Sequence, residues 1–172
     1  MWLSPLTLII GAVVFAVAGA DGCTAAADDP NFPSVAGAGV SRSSAEPFTR
    51  LLSATTSGYT ESAELVLRDK AAFAAAWNTV HNGIPGNPAP TVDFAQKMVV
   101  LVALGQRNTG GFSVSFDSMT VEAGTPRVRY TVTSPGASCM TAQVLTSPVD
   151  IVVVRRVEAQ AQFIARPVVK EC

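Results

Sequence analysis

The sequence predicts an α+β domain in which one amphipathic helix packs on one face of a curved, antiparallel sheet of about five to seven strands, preceded by a disordered tether. Three observations lead to this fold class. One segment repeats apolar residues at helical spacing, several later segments alternate apolar and polar residues, and the part before them is rich in Ala, Ser, Gly and Pro. A chain of 172 residues has room for one ordinary domain with appendages.

The N-terminal 22 residues predict export. Residues 6–20 form an uncharged apolar run that is shorter than the roughly 20 residues a membrane-spanning helix needs, so residues 1–22 are interpreted as a signal peptide. Ordinary cleavage before Asp21 would secrete the chain. Alternatively, Gly22-Cys23 resembles the end of a lipobox, and Cys23 would then carry the lipid. An uncleaved anchor is the third possibility.

The segment 23–57 predicts a flexible tether. It consists largely of Ala, Ser, Gly, Pro and Thr and shows little apolar periodicity. Phe48, Leu51 and Leu52 could form a small docked segment, although no pattern continues it. We therefore place the folded domain at residues 58–172.

The domain is predicted to begin with a strand and a helix. Ala63, Leu65 and Leu67 alternate with the residues between them, as in a short strand. Asp69 can cap a helix that starts at Lys70. The helix carries one apolar stripe at positions i, i+3, i+4 and i+7, formed by Phe73, Ala76, Trp77 and Val80. Asn82-Gly83 and the prolines that follow end it.

The remaining segments predict strands of an antiparallel sheet. Residues 98–104 are nearly continuously aliphatic, which favours a central strand. Two alternating segments follow and are joined by a hairpin connection at residues 122–126. These two segments are residues 112–117 and 127–133. Further strands are predicted around residues 140–145, 149–154 and 163–168.

Cysteine pairing is left open by the sequence. Three thiols in an oxidising compartment leave one over if Cys139 and Cys172 pair, and lipidation of Cys23 would account for that one. The bridge would add about 3.5 to 4 kcal/mol by restricting the unfolded chain. Two buried or free thiols are the alternative.

Composition argues against several functions. The 12 Lys plus Arg nearly balance the 13 Asp plus Glu, so the chain has no broad field to gather phosphate groups, and nucleic acid is not an expected partner. His81 is the single histidine, and no local motif supplies it with a nucleophile or an orienting acid. We interpret His81 and Trp77 as structural and predict no enzyme activity, no metal site and no cofactor.

A polar, glycine-rich corner interrupts two apolar strands. Adjacent glycines permit positive φ and close backbone approach, so this corner can present Arg107, Asn108 and Thr109 at an exposed tip. The simpler alternative is that Gly110 and Gly111 only let the chain reverse. The candidate partner-binding residues are Gln106, Arg107, Asn108, Thr109, Gly110, Gly111 and Phe112.

Several ordered pieces, which together span essentially the whole domain, form one pattern: 61–69 running into the Trp77 helix, 92–94 before 97–100, 104–114 with its Thr-Gly-Gly-aromatic element, and 143–148. This pattern resembles a known family, the PrcB C-terminal-like domain, which is named for a subunit of a bacterial surface protease complex. The chain departs from the family at Phe112, where Tyr is commoner, at Asn108, where Pro is common, and at Val149, where an aromatic residue often stands. The resemblance implies an exported, often lipidated, noncatalytic partner that assembles with or stabilises a protease.

Two other functions stay open. The Thr-Gly-Gly-Phe element also resembles the loop of chagasin-type cysteine-protease inhibitors, which implies a loop at 106–112 that enters an active-site cleft. A small-molecule or glycan-binding envelope module is the third class. In each case the expected location is the bacterial envelope, the periplasm or the medium, with membrane attachment only through a lipid on Cys23.

Overall fold

The computed structural model describes residues 44–172, which form seven strands and one helix. The predicted signal peptide, Cys23 and the predicted tether up to residue 43 lie outside the described residues. The elements are β1 (Thr49–Ala54), β2 (Ala63–Leu67), α1 (Lys70–Val80), β3 (Lys97–Ala103), β4 (Ser113–Glu122), β5 (Thr125–Pro135), β6 (Val149–Arg155) and β7 (Gln162–Lys170). The predicted α+β class, with a helix on a mostly antiparallel β structure, is confirmed.

Helix α1 forms as its sequence predicts. The side chain of Asp69 accepts a hydrogen bond from the backbone N–H of Ala72 at 2.8 Å, which caps the first turn. All four stripe residues, Phe73, Ala76, Trp77 and Val80, are buried. His81 caps the other end through its backbone N–H, which donates to the carbonyl of Trp77 at 3.2 Å.

The strands form two sheets where the sequence predicted one. Strands β1-β6-β3-β2 pair antiparallel in a four-stranded sheet, and β4-β5-β7 form a three-stranded sheet. Alternate residues of β3 and β6 point to opposite sides of their sheet. Val99, Leu101 and Ile151 pack with α1, whereas Val100 and Val152 pack with the second sheet. The four-stranded sheet is thus covered on both faces, which explains its continuous aliphatic runs.

The last strand differs from the expected antiparallel arrangement. β7 pairs parallel with β5, with Tyr130 opposite Ala165. The chain leaves the second sheet after β5, enters the first sheet as β6, and returns to the second. Because of this excursion, β7 runs in the same direction as β5. The periodicity of the sequence carries no information about the direction of a strand relative to its neighbour.

Two boundaries also need correction. The tether was expected to reach residue 57, yet Thr49–Ala54 is a strand paired with β6, and Glu46 forms an isolated bridge with Met119. Residues 140–145, predicted as a strand, are an irregular segment that carries no strand. The hairpin at 122–126 is a tight turn in which Ala123 and Gly124 both have positive φ.

Candidate functional site

The glycine-rich corner joins β3 to β4 on the surface, and Gly105 sets its starting direction. Gly105 has φ +73°, and a Cβ atom there would lie 2.7 Å from the backbone carbon of Glu61. Only glycine fits both this conformation and this close approach. The next residue, Gln106, donates its N–H to the carbonyl of Thr60 at 2.9 Å. The corner is therefore attached to the segment that precedes β2.

A second segment, residues 140–146, runs beside the corner and holds it in place. Arg107 and Thr146 exchange both backbone hydrogen bonds, at 2.7 and 3.0 Å, and Gly110 donates to Ala142 at 2.9 Å. The buried Thr146 also donates its hydroxyl to the carbonyl of Thr109 at 3.0 Å. Four hydrogen bonds between two irregular segments give the corner a defined shape.

The candidate residues of the corner are not equally exposed. Gln106 and Asn108 are exposed, whereas Arg107, Thr109 and Phe112 are half-buried. Arg107 folds back so that its guanidinium donates to the carbonyl of Leu104 at 3.0 Å and lies 5.6 Å from the ring centroid of Phe112. The expectation that Arg107 extends from the tip is not met, because its side chain supports the corner instead.

The two adjacent glycines differ in what they require. Gly111 has φ +88°, and a Cβ atom there would lie 3.1 Å from Cβ of Pro135. Gly110 has an ordinary φ, and an added Cβ would make a normal 3.7 Å contact with Ala142. Backbone conformation accounts for glycine at 111 but leaves 110 free to carry a small side chain.

Exposed apolar side chains flank the corner, and the sequence analysis missed them. Met140 is fully exposed, and Val144 and Leu145 are 52% and 63% exposed. The sequence analysis interpreted residues 140–145 as a strand. A strand of the sheet was expected to bury part of its apolar side chains, so their exposure was not predicted. We call residues 106–112 together with residues 140–146 the corner surface. It combines a hydrogen-bonded framework with apolar side chains that have no cover among the described residues, as interaction surfaces do.

The cysteines and the histidine have structural roles in the described part of the chain. Cys139 and Cys172 form a disulfide with a Cα–Cα distance of 5.2 Å, at one end of the corner surface. The ring of His81 lies 4.8 Å from that of Trp77, and its Nδ1 is 2.9 Å from the Trp77 carbonyl. Trp77 is buried and donates its indole N–H to Asn87.

Residues 44–172 contain no group of three or more His, Cys, Asp or Glu side chains that could hold a metal ion. In the same residues, α1 is too short and too polar to cross a membrane.

Comparison with known families identifies the part of the chain that contains the corner. The family model described as PrcB C-terminal matches residues 98–155. This segment is PrcB C-terminal-like. The PrcB-like segment runs from β3 through β6 and contains both parts of the corner surface. The resemblance that the sequence suggested is therefore confirmed over these residues.

The match covers about a third of the chain, less than the resemblance had implied. The pieces at 61–69 and 92–97 lie outside the PrcB-like segment, as do α1 and β7. No curated protein matches the chain, and no solved structure does.

Proposed function

We propose that this protein is an exported, noncatalytic interaction module that serves as an accessory or stabilising subunit of an envelope protease complex. The observation that carries the proposal is the exposure of Met140, Val144 and Leu145 beside a hydrogen-bonded corner within the PrcB-like segment. A partner that covers these side chains would gain the free energy of removing apolar surface from water.

The framework of the corner lowers the cost of binding. Its backbone hydrogen bonds to residues 142 and 146 fix the loop before a partner arrives, so less conformational entropy is lost on association. Asn108 and Gln106 are exposed beside the apolar side chains and offer amide groups for directional hydrogen bonds. Met140 has a flexible, polarizable side chain that adapts to an irregular partner surface.

Attachment to the envelope belongs to the same proposal. Lipidation of Cys23 would place the module at a membrane, whereas cleavage before Asp21 would release it. Metabolic labelling with a fatty acid, compared between the natural chain and Cys23→Ser, distinguishes the two. Label in the natural chain alone supports the anchor, and absence of label from both excludes it.

The interaction surface is tested by replacing its apolar side chains. Met140→Ser combined with Leu145→Ser should abolish co-purification of a secreted protease that the natural chain captures, without changing the unfolding transition. Ile84→Ser is the matched control, because Ile84 is 62% exposed, close to the value for Leu145, and lies in the loop after α1. Equal recovery of the protease by the double variant would reject the corner surface as the docking site.

Protease activity separates the two protease-related functions. A stabilising subunit should prolong the half-life of the protease that it captures. A chagasin-like inhibitor acting through residues 106–112 should instead reduce the initial rate of a cysteine protease. In the structure Phe112 is half-buried beneath Arg107, which fits a supporting side chain better than one that enters a cleft.

A further inference from the structure

An open groove runs across the second sheet, away from the corner surface. It has a volume of about 880 Å³ and shares no residue with the corner surface. Its walls come from the segment before β1, from β1 itself and from all three strands of the second sheet. The groove is lined by Phe48, Arg50, Ser115, Phe116, Asp117, Arg129, Ile164, Ala165, Arg166 and Pro167.

Three arginines meet one exposed carboxylate in this lining. Arg50 is held by the buried carboxylate of Asp150, with 2.9 Å between Nε and Oδ1, and its guanidinium also donates to the carbonyl of Phe116 at 3.0 Å. Phe48 lies 5.6 Å from the same guanidinium. Arg50 is thereby fixed as part of the wall, and its charge is matched by Asp150.

The positive charge of the other two arginines is only partly balanced by carboxylates. Arg166 donates to the hydroxyl of Thr131 at 3.0 and 3.2 Å and has no carboxylate partner among the described residues. Arg129 lies 3.7 Å from Oε1 of Glu122, and Arg127 contacts the other oxygen of this carboxylate, Oε2, more closely at 2.9 Å. Asp117, the carboxylate in the lining, accepts from Thr131. The groove therefore presents net positive charge around Arg129 and Arg166.

Apolar surface lies next to this charge. Phe48 is 39% exposed and Ile164 is 37% exposed, and Pro167 stands beside Arg166 in the wall. The ring of Phe48 packs edge-on against Phe116 with 4.7 Å between centroids, so it is already positioned. A ligand that fits both features must carry carboxylates and apolar groups within a few ångströms of each other.

We propose that the groove binds an extended, acidic segment of a partner protein. Carboxylates of the segment pair with the forked guanidinium groups of Arg129 and Arg166, and an apolar side chain packs between Phe48 and Ile164. Most lining residues are exposed, so the groove could not enclose a small molecule as a ligand pocket does. Its volume is also many times that of one small anion.

This proposal goes beyond the function proposed above, because it assigns a second binding surface with its own chemistry. The two surfaces share no residues, so variants in the groove leave the corner surface intact. Loss of peptide binding and loss of protease capture can therefore be observed separately.

Fluorescence anisotropy with short labelled peptides tests the groove. The probes alternate Glu with Phe or Leu, and their counterparts carry Gln in place of Glu. Both are acetylated and amidated, so that side chains supply the only carboxylates. We expect the Glu peptides to bind at least about tenfold more tightly than the Gln peptides, and binding to weaken as salt rises.

Charge-removing variants locate the binding. Arg166→Gln and Arg129→Gln should each weaken binding of the Glu peptide by about tenfold. Lys170→Gln is the matched control, because it removes one positive charge from the same strand, outside the groove lining. Unchanged binding in this control supports the proposal.

Four results would overturn the groove assignment, three of them from the peptides and variants above. These three are equal affinity for the Glu and Gln peptides, an equal loss in Lys170→Gln, and no binding of any peptide. Displacement of the Glu peptide by inorganic phosphate at an equal concentration would also overturn it, because the site would then be a small-anion site.

Discussion

At the scale of single residues, Asp150 joins the two sheets. Its carboxylate is fully buried, accepts from Nε of Arg50 in β1 and accepts the backbone N–H of Phe116 in β4 at 2.6 Å. One acidic residue on β6 thus pairs with a guanidinium group from its own sheet and accepts a hydrogen bond from the backbone of the other sheet. An Asp inside the run Val149–Val154 was a visible signal in the sequence, although the run does not reveal its partners.

Removing this carboxylate should destabilise the fold strongly. Asp150→Ala leaves the Phe116 N–H and the Arg50 guanidinium without their acceptor, and we expect the free energy of unfolding to fall by about 3 to 5 kcal/mol. The control is Asp117→Ala, which removes an exposed carboxylate from β4 and should cost less than about 1 kcal/mol. Urea denaturation measures both, and similar midpoints for the two variants would contradict this role of Asp150.

The glycines of the corner should differ in how much their substitution lowers the free energy of unfolding. Gly105→Ala adds a Cβ against the backbone of residues 60–62 at positive φ, so it should cost about 2 kcal/mol or more. Gly110→Ala should be tolerated, with a change below about 0.5 kcal/mol. Thermal melts of the two variants make the comparison. A Gly105→Ala melting temperature equal to that of the natural chain would show that the backbone there can relax.

Both tyrosines should resist ionisation while the protein is folded. Burial is the main cause that raises the pKa of Tyr130 above its ordinary value of 10, and its hydrogen bond to Glu64 raises it further. Burial also raises the pKa of Tyr59. Because both pKa values are higher in the folded than in the unfolded state, their contribution to stability is complete below pH 10 and is lost as the pH rises above it.

Ultraviolet absorbance of tyrosinate measures this directly. The native protein should show little tyrosinate at pH 10 to 10.5, whereas the urea-unfolded chain should be about half ionised near pH 10. An equal titration curve for the folded and unfolded chains would contradict the buried position of Tyr130 and the half-buried position of Tyr59.

At the scale of elements, β1 belongs to the domain, although its composition resembles a linker. It covers one edge of the four-stranded sheet, where Thr49 pairs with Val153 and Ala54 with Val149. Leu51 and Leu52 pack against the core on the side of α1. Just before β1, Glu46 pairs with Arg155 at 2.8 Å. The folded domain therefore begins before residue 49.

Truncation tests the contribution of β1. A piece comprising residues 58–172 lacks β1 and leaves Asp150 without Arg50, so it should lose about 3 kcal/mol or more relative to residues 44–172. The piece 44–172 should unfold at the same urea concentration as the full chain. Equal midpoints for the two pieces would show that the sheet does not need β1.

The difference between β3 and residues 140–145 shows that local sequence patterns do not predict whether an apolar segment is buried. Met98–Leu104 is apolar because both faces of its strand are covered, whereas Met140, Val144 and Leu145 are apolar and remain exposed. Both segments are rich in strand-forming or apolar residues. Only the position of neighbouring layers distinguishes a buried strand from an interaction surface.

At the scale of the whole molecule, the disulfide fastens the last strand. Cys172 follows β7 and Cys139 follows β5, so the bridge closes the ends of two parallel neighbours. Beside it, the N–H of Gly136 donates to the carbonyl of Lys170 at 2.9 Å. β7 is largely exposed and pairs with β5 alone among the described strands, so few other contacts hold it.

Reduction of the bridge should lower stability without abolishing the fold. For a separation of 33 residues, the chain-entropy model gives a loss of roughly 3.5 to 4 kcal/mol. Melting curves with and without a reducing agent measure it, and Cys139→Ser combined with Cys172→Ser should reproduce the reduced state. Reductant that leaves the melting temperature unchanged would show that the bridge contributes nothing to global stability.

The sequence by itself determined the elements whose signals lie within a few residues of one another. These are α1 with its cap and stripe, the strands β2 to β6, the hairpin between β4 and β5, and the surface position of the corner. Helical and strand periodicity are local properties, because the position of a residue along its helix or strand sets the face on which its side chain lies. The adjacent glycines of the corner likewise predicted a turn of the backbone between two strands.

Only the tertiary structure decided how those elements meet. The division into two sheets, the parallel entry of β7, the place of β1 and the pairing of Arg50 with Asp150 join residues far apart in the sequence. The groove and the exposed residues of the corner surface depend on the same pairings. Burial is a property of the assembled layers, so it became visible only once those layers were in place.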